Sequence, residues 1–260
     1  MGSLSFSAKA RAGGSVLDDL HQSGAMKVLF PRPRGDGLQA IVINTAGGVT
    51  GGDRFALTAR AAENTRLGIT TQAAERLYRA QSGQGAVLHN RLFVARGARM
   101  DWLPQETILY NGCDGARELA VELERDASLL LVEPLIFGRA AMGESLTAAR
   151  FSDRIDIRRR GRPLFLDAMR LQGDLAAHLG AAFTAGGAGA LATIVYVAPD
   201  AEAYLPRLRA LLPETAGATL IGPDLLVSRI LAPDSFELRR SLIPTLRLLN
   251  EGALPRTWMT

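Results

Sequence analysis

The chain has 260 residues, of which 47% are hydrophobic and 22% charged, a composition typical of a globular protein and not of a disordered one. This length accommodates either one elaborate domain or two closely packed ones. The formal net charge is +4, and all basic residues except Lys9 and Lys27 are arginine. The arginine content favours acidic protein partners, although codon bias explains it equally well, and no interleaving with aromatic residues points to nucleic acid.

Cysteine content and hydropathy exclude further classes. Cys113 is the single cysteine, so an internal disulfide and a cysteine-rich metal site are excluded. Residues 1–14 contain no apolar segment of the kind found in signal peptides. Residues 175–199 lack charge over a length that could span a bilayer, but four residues with three glycines, 186–189, interrupt them. A helix, a turn and a buried strand are the better interpretation, and we expect a cytoplasmic protein without membrane contact.

Strand patterns dominate the first two-thirds of the chain. Short runs of alternating apolar residues are separated by turn residues, which predicts layered sheets and not strand–helix–strand units; the runs are residues 55–59, 67–71, 119–123, 155–157 and 164–166. Residues 38–43 and 129–132 are continuously apolar, so we expect these strands to be buried on both faces. The predicted fold is therefore mainly β, with layered multi-stranded sheets and a few helices.

Helical spacing appears in the last third. Residues 201–212 and 235–250 carry apolar residues at helical intervals, with Asp234 as the predicted N-cap of the second helix. Two strands are predicted between these helices, at residues 218–221 and 225–230. We therefore expect a single domain over residues 1–260, with a β-rich body at about 1–172 and a small α+β section at about 173–260.

A glycine-rich segment at residues 46–53 ends in Asp53. A phosphate-binding loop would need Gly-Lys-Ser/Thr opening a helix, whereas here an acid and a strand-like run follow. A tight turn between strands is the better interpretation. Asp53 either caps that turn or faces a partner.

Two other segments combine polar and aromatic residues. Residues 70–79 predict one short helical turn that brings Arg76 and Arg79 to one face. In residues 102–108, Trp102 is expected to anchor the core, and Glu106 is either a buried acid or a partner-facing one.

Two carboxylates follow apolar runs and are predicted at strand ends. Glu133 follows residues 129–132, and Asp167 follows residues 164–166. A buried carboxylate is costly unless it is paired, hydrated or bound to a cation. A structural salt bridge from Glu133 to Arg139 and a functional role for Glu133 are equally compatible with the sequence.

Catalytic constellations are missing from the sequence. The three histidines are far apart, no nucleophile elbow is present, and Cys113 lies in a glycine turn without a base nearby in sequence. We therefore predict no catalytic residues and no tightly bound cofactor. A small hydrolase or transferase that uses Cys113 or the acids stays open as the alternative.

Taken together, seven segments in order resemble the UreD family of urease accessory proteins, called UreH in some organisms. They are residues 22–34, 47–53, 70–79, 102–108, 137–144, 161–164 and 254–260. Departures are small: Arg76 stands where the family commonly has lysine, and Leu109-Tyr110-Asn111 stands where it often has Phe-Asp.

The resemblance implies a function without a reaction. UreD-like proteins are mostly β scaffolds that bind apo-urease and a UreF-type protein, which in turn docks a UreG-type GTPase carrying nickel. It implies a water-filled nickel path with three candidate metal-contacting residues. Glu133 and Asp167 match family acids of that path, and Asp53 matches the acid of the glycine motif. Within the matched motifs, the residues predicted to bind partners are Arg76, Tyr78, Arg79, Glu106, Arg139 and Glu144.

Scattered carboxylates suit an ion in transit, because a conduit must bind weakly at several points. A pure adaptor, through which no metal passes, is the alternative within the same class.

Overall fold

Two layered β-sheets make up most of the protein in this computed structural model, which describes residues 1–32, 35–81, 83–250 and 254–259. Strands account for 53% of the structure and helices for 14%, so the predicted mainly β fold is confirmed. Positions 33–34 and 260, which belong to two of the motif segments, lie outside the described residues. In chain order the strands are β1 (Gly2–Arg11), β2 (Gly14–Gly24), β3 (Met26–Leu29), β4 (Leu38–Asn44), β5 (Arg54–Ala61), β6 (Arg66–Thr71), β7 (Glu75–Leu77), β8 (Ala86–Val94), β9 (Arg99–Leu103), β10 (Thr107–Leu109), β11 (Asp114–Leu123), β12 (Ser128–Phe137), β13 (Ala149–Arg159), β14 (Arg162–Gly173), β15 (Ala190–Val197), β16 (Ala216–Ile221) and β17 (Leu225–Ala232).

The chain winds back and forth between the two sheets. The first sheet has the strand order β14-β13-β11-β8-β5-β1-β2, and the second has the order β16-β17-β15-β12-β9-β6-β4-β3, with β10 and β7 branching from β12. Central neighbours such as β8 and β11, or β6 and β9, are parallel, whereas the outermost pairs are antiparallel. Strands of the opposite sheet therefore make the crossovers that helices make in strand–helix–strand units. The prediction of packed sheets is confirmed.

Strand β12 lies between two hydrophobic cores. Leu129 and Leu131 point into the core between the two sheets, and Leu130 and Val132 point into a second core on the other side of the second sheet. Every residue from Leu129 to Ile136 is buried. The continuous apolar run at 129–132 was thus read correctly as a strand buried on both faces.

The same prediction was wrong for residues 38–43. In β4, Leu38, Ala40 and Val42 are buried, but Ile41 and Ile43 are only half-buried. Ile41 and Ile43 stay half-buried because the two longer helices, which follow later in the chain, pack on β15, β16 and β17. These helices leave the β4 end of the second sheet uncovered.

In the part of the chain that the structure describes, three α-helices follow the last strand of the first sheet, α1 (Leu175–Gly180), α2 (Ala201–Arg209) and α3 (Ser235–Leu249), and a one-turn 3-10 helix at Arg256–Trp258 comes after them. The helix, turn and buried strand predicted for residues 175–199 are confirmed as α1 and β15. Helix α2 ends three residues earlier than predicted. Asp234 caps α3 as expected, since its Oδ1 accepts a hydrogen bond of 2.9 Å from the Glu237 N–H. Among the described residues, none of the helices has the length and apolarity needed to cross a bilayer.

Residues 70–79 do not form the predicted helical turn. β6 extends to Thr71, and β7 pairs in parallel with β10, with Glu75 opposite Thr107. The carbonyl of Arg76 accepts from the Val49 N–H at 2.7 Å, and the Tyr78 N–H donates to the Val49 carbonyl at 2.8 Å. The backbone groups of this segment are therefore satisfied by distant strands and not by a local turn.

The outer face of the first sheet carries no packed helix in the described structure, and its side chains alternate with the buried ones of β5, β8, β11, β13 and β14. Exposed arginines are spread over this face: Arg54, Arg60, Arg91, Arg150, Arg154, Arg158 and Arg170. Acids are interspersed among them, so the face has mixed charge with an excess of arginine.

The cap of α3 provides a test of this description. Replacing Asp234 with alanine removes the acceptor of the Glu237 N–H, and we expect the free energy of unfolding to fall by about 1 kcal/mol. Urea denaturation monitored by circular dichroism measures the change. Asp234→Asn keeps a capping oxygen and is the control; equal stability of the alanine and asparagine variants would contradict the assignment.

Candidate functional site

A buried cluster of three charged side chains lies between the two sheets. Arg117 projects from β11, Glu133 from β12 and Asp153 from β13, and their side chains are 5%, 3% and 9% exposed. Two hydrogen bonds join Arg117 to Asp153, from Nε to Oδ1 at 2.9 Å and from Nη2 to Oδ2 at 2.6 Å. Nη1 lies 2.5 Å from Glu133 Oε2 and also donates to Thr107 Oγ1 at 3.0 Å. One cation thus faces two carboxylates.

The structure corrects the predicted surroundings of Glu133. The residue lies in the middle of β12 and not at its end, and its ionic partner is Arg117 instead of Arg139. Trp102 is buried, as predicted for a core anchor, and its Nε1 also donates to Glu133 Oε1 at 2.8 Å.

A period-two count along the strands would have found Arg117 and Asp153, which sequence reasoning missed. Arg117 shares the inward face of β11 with Leu119, and Asp153 shares that of β13 with Ile155. Charged residues at inward positions of two strands signal a buried ion pair.

Burial controls the protonation of Glu133. Loss of solvent raises the pKa of its carboxyl above the ordinary range, and the Asp153 carboxylate adds to the rise, whereas Arg117 and the Trp102 N–H oppose it. With both acids ionised the cluster has a net charge of −1. In that state a cation that approaches Glu133 meets attraction, although it must share the carboxylate with Arg117, whereas protonation of Glu133, which its raised pKa favours, removes the attraction.

A cavity of about 280 Å³ opens beside the cluster. Its polar lining includes Glu133 and Arg117 on one side and Glu75 with Asn44 on another. Burial raises the pKa of Glu75, although hydrogen bonds from Asn44 and the Arg76 N–H oppose the rise. The cavity thus presents two carboxylates among amide and apolar side chains.

The glycine-rich segment forms the predicted turn between β4 and β5. Asp53 caps it, because its Oδ2 accepts from the Thr50 N–H at 3.0 Å. Gly48 has φ of 156°, and a Cβ there would lie 2.2 Å from a ring carbon of Tyr78. The turn requires glycine at this position because the tyrosine ring packs directly against its backbone.

Asp167 also lies within a strand, which corrects its predicted place at a strand end. It projects from β14 towards the second sheet, where Arg229 of β17 donates to its Oδ2. Arg229 also donates to Thr193 Oγ1 at 3.3 Å. Since Thr193 pairs with Glu133 on one side and Arg229 on the other, polar side chains run across the sheet from Glu133 to Asp167.

Four of the six predicted partner-binding residues meet on one surface together with Tyr110. We call this the tyrosine–arginine surface, made of Arg76, Tyr78, Tyr110, Arg139 and Glu144. The fifth, Arg79, is exposed and lies against Gly112. The rings of Tyr78 and Tyr110 stack edge to face at 4.9 Å, and the Arg139 guanidinium lies 4.3 Å from the centre of the Tyr110 ring. Arg139 and Glu144 form two side-chain hydrogen bonds, of 3.0 and 3.1 Å. Exposed Met142 lies in the same loop, in a one-turn 3-10 helix.

Glu106 is the sixth, and of its two predicted alternatives the structure has the buried one. Its side chain is 5% exposed and accepts hydrogen bonds from Arg239 of α3, at 2.6 Å from Nε and 3.0 Å from Nη2. Glu106 therefore fastens α3 to the second sheet, and this pairing was invisible in sequence because the two residues are 133 positions apart.

Cys113 has the properties of a core residue. Its side chain is buried, and burial raises the pKa of the thiol to about 11, so it is protonated at neutral pH. This state disfavours Cys113 as a nucleophile. Within the described residues, no three His, Cys, Asp or Glu side chains are grouped to hold a metal ion.

The fold and the site define a layered-β protein with an ion-paired interior and an exposed aromatic–arginine surface. The family described as UreD urease accessory protein matches residues 1–259. Urease accessory protein UreD of Ruegeria pomeroyi is 63% identical over 94% of this chain and 95% of its own length. UreD of Roseobacter denitrificans is 50% identical over 99% of this chain and 94% of its own length. UreD 1 of Brucella abortus is 44% identical over 99% of this chain and 93% of its own length. The chain belongs to the UreD family, which implies a role in urease maturation.

The buried cluster predicts an unequal response to substitution. Arg117→Met leaves two buried carboxylates without their cation, and we expect the free energy of unfolding to fall by roughly 3–5 kcal/mol. Glu133→Gln leaves the Arg117–Asp153 pair intact and should cost less, about 1–2 kcal/mol. Chemical denaturation of the two purified variants measures both values. If Arg117→Met proves as stable as the wild type, the cluster does not hold the sheets together.

Proposed function

We propose that this protein is a non-enzymatic scaffold of urease maturation that binds apo-urease and a UreF-type accessory protein in the cytoplasm and lets nickel pass through it. A UreG-type GTPase, the source of the nickel, joins the complex indirectly through the UreF-type protein. The observation that carries the proposal is the cavity beside Glu133, because its wall brings together one buried carboxylate, Glu133, and one half-buried carboxylate, Glu75, in a UreD-family chain.

The carboxylates of the cavity suit a divalent cation in transit. Glu75 and Glu133 supply oxygen ligands, and neither is free of competition, since Asn44 hydrogen-bonds to one and Arg117 pairs with the other. An ion that displaces such partners is held weakly at each point and moves on. Nickel bound tightly would instead need imidazole or thiolate ligands.

Polar side chains beyond Glu133 support a continuation of the route. Thr193 and Arg229 follow Glu133 across β15 and β17, and Arg229 reaches Asp167 on the first sheet. Asp167 is 27% exposed, so it stands where this polar row meets solvent. In this proposal Glu133 and Asp167 are the interior and outer acids of the path. Asp53 caps the glycine turn outside the cavity wall, and its charge contributes to the raised pKa of Glu75.

The tyrosine–arginine surface suits the docking of the UreF-type partner. Tyrosine, arginine and methionine are enriched in protein interfaces, and the stacked rings of Tyr78 and Tyr110 are already ordered. Docking beside the glycine turn would bring the partner close to the cavity, since Gly47 and Arg76 belong both to this region and to the cavity wall.

A pure adaptor would bind the same partners without passing metal. Substitution of the path acids separates the two functions. We expect Glu133→Gln and Asp167→Asn to lower the nickel content of urease matured in the presence of the variant, because each removes a charge from the path, while the complexes with partners form normally. Metal analysis of the purified urease measures the effect.

Asp156→Asn is the matched control, since Asp156 lies on the outer face of the first sheet between Arg154 and Arg158. Normal nickel loading by both path variants would favour the adaptor and exclude the conduit.

Partner docking has its own test. Removing two exposed side chains of the tyrosine–arginine surface together, Arg76→Ala with Arg139→Ala, should weaken binding of the UreF-type protein about tenfold or more. Calorimetric titration of the purified partner gives the affinity. Arg11→Ala with Arg125→Ala is the charge-matched control, since both arginines are exposed elsewhere, Arg11 at the end of β1 and Arg125 in the turn between β11 and β12. Equal affinities of the two double variants would remove this surface from the proposal.

A further inference from the structure

A shallow depression of about 500 Å³ lies on the outer face of the first sheet, and it shares no lining residue with the cavity or with the tyrosine–arginine surface. Three arginines rim it: Arg54 of β5, Arg150 of β13 and Arg170 of β14. Its floor is formed by Val87, Ala116 and Ser152, which lie in register between Arg54 and Arg170. We name this feature the arginine-rimmed depression.

Strand spacing sets its width. The row from Arg54 to Arg170 crosses five neighbouring strands, so their backbones are about 19 Å apart at a spacing of about 4.8 Å per strand. The floor residues between them are short, and long arginine side chains stand at both ends. A segment of another protein therefore fits along the row with cationic groups at its two ends.

The positive charge of the rim is only partly neutralised. Arg150 lies 3.6 Å from Asp114, at the edge of the depression. Arg54 donates to the backbone carbonyls of Asp53 and Gly85, at 2.9 and 2.7 Å, and these groups carry no formal charge. Arg170 is exposed and forms no ion pair within the described part of the chain. Carboxylates brought by a partner would complete the pairing.

We propose that the arginine-rimmed depression binds a carboxylate-rich surface segment of a protein partner. Planar guanidinium groups bind carboxylates in a two-pronged geometry, and arginine is enriched at protein interfaces. Complementary charge also speeds the encounter of the partners. The proposal deepens the scaffold function and rests on it for the partners to be tried.

Acids on the same face favour a protein over a nucleic acid. Asp114, Glu118 and Asp156 project outward among the arginines. A phosphate backbone laid across the sheet would meet these carboxylates, whereas a protein surface with mixed charges can pair with both signs. Within the arginine-rimmed depression itself, three arginines stand against one acid, Asp114.

The test uses the full-length protein with purified apo-urease and purified UreF-type protein as separate probes, over a range of salt concentrations. Arg54→Glu with Arg170→Glu should weaken binding of one of the two proteins by at least about tenfold and flatten its salt dependence. Ala116→Trp fills the floor without a change of charge and should weaken the same partner. Circular dichroism checks that each variant is folded.

Arg11→Glu with Arg125→Glu reverses the same number of charges elsewhere and should leave both affinities unchanged. Wild-type affinity of the Arg54/Arg170 variant for both proteins overturns the proposal while the scaffold function stands. An equal loss of affinity in the Arg11/Arg125 control variant also overturns the proposal. So does a wild-type protein that binds single-stranded DNA more tightly than it binds either protein. If the wild type binds neither protein, the scaffold function fails, and this proposal fails with it.

Discussion

The pairing of Arg117 with Glu133 and Asp153 is the interaction on which the rest of the structure depends. Each of the three strands that carry these residues is otherwise apolar on its inward face, so the charges are tolerated only because they meet one another. The pairing joins the first sheet to the second at the centre of the layer between them. It also places charged groups in the largely apolar wall of the adjoining cavity, since Glu133 and Arg117 form part of that wall.

The way the chain winds explains how one β fold offers several separate surfaces. Because strands of one sheet make the crossovers of the other, few helices are needed, and α2 and α3 cover only the β15–β17 end of the second sheet. The outer face of the first sheet and the glycine-turn corner stay open. A protein built in this way has open outer surfaces and a small set of charged groups in an otherwise apolar interior. Both features agree with membership of a family of urease accessory proteins.

Patterns that depend on neighbouring residues could be predicted from sequence. The mainly β fold, helix α3 with its cap at Asp234 and the turn capped by Asp53 are examples. Predictions failed where distant strands decide the conformation. Residues 70–79 have the composition of a helical turn, but pairing of β7 with β10 makes part of them a strand. A salt bridge from Glu133 to nearby Arg139 was one of two interpretations that the sequence left open, whereas the packing of one sheet on the other brings Arg117 to Glu133. Inward and outward positions are thus readable in the strands, but the partners across the sheets are not.

The central claim is that urease receives its nickel with the help of this protein. A defined reconstitution tests it most directly: apo-urease, the UreF-type and UreG-type proteins, GTP and nickel are combined with and without this chain, and the nickel content of the recovered urease is measured. The account predicts nickel-loaded urease only when the chain is present. Equal loading in its absence, or turnover of a substrate by the purified chain alone, would contradict the account.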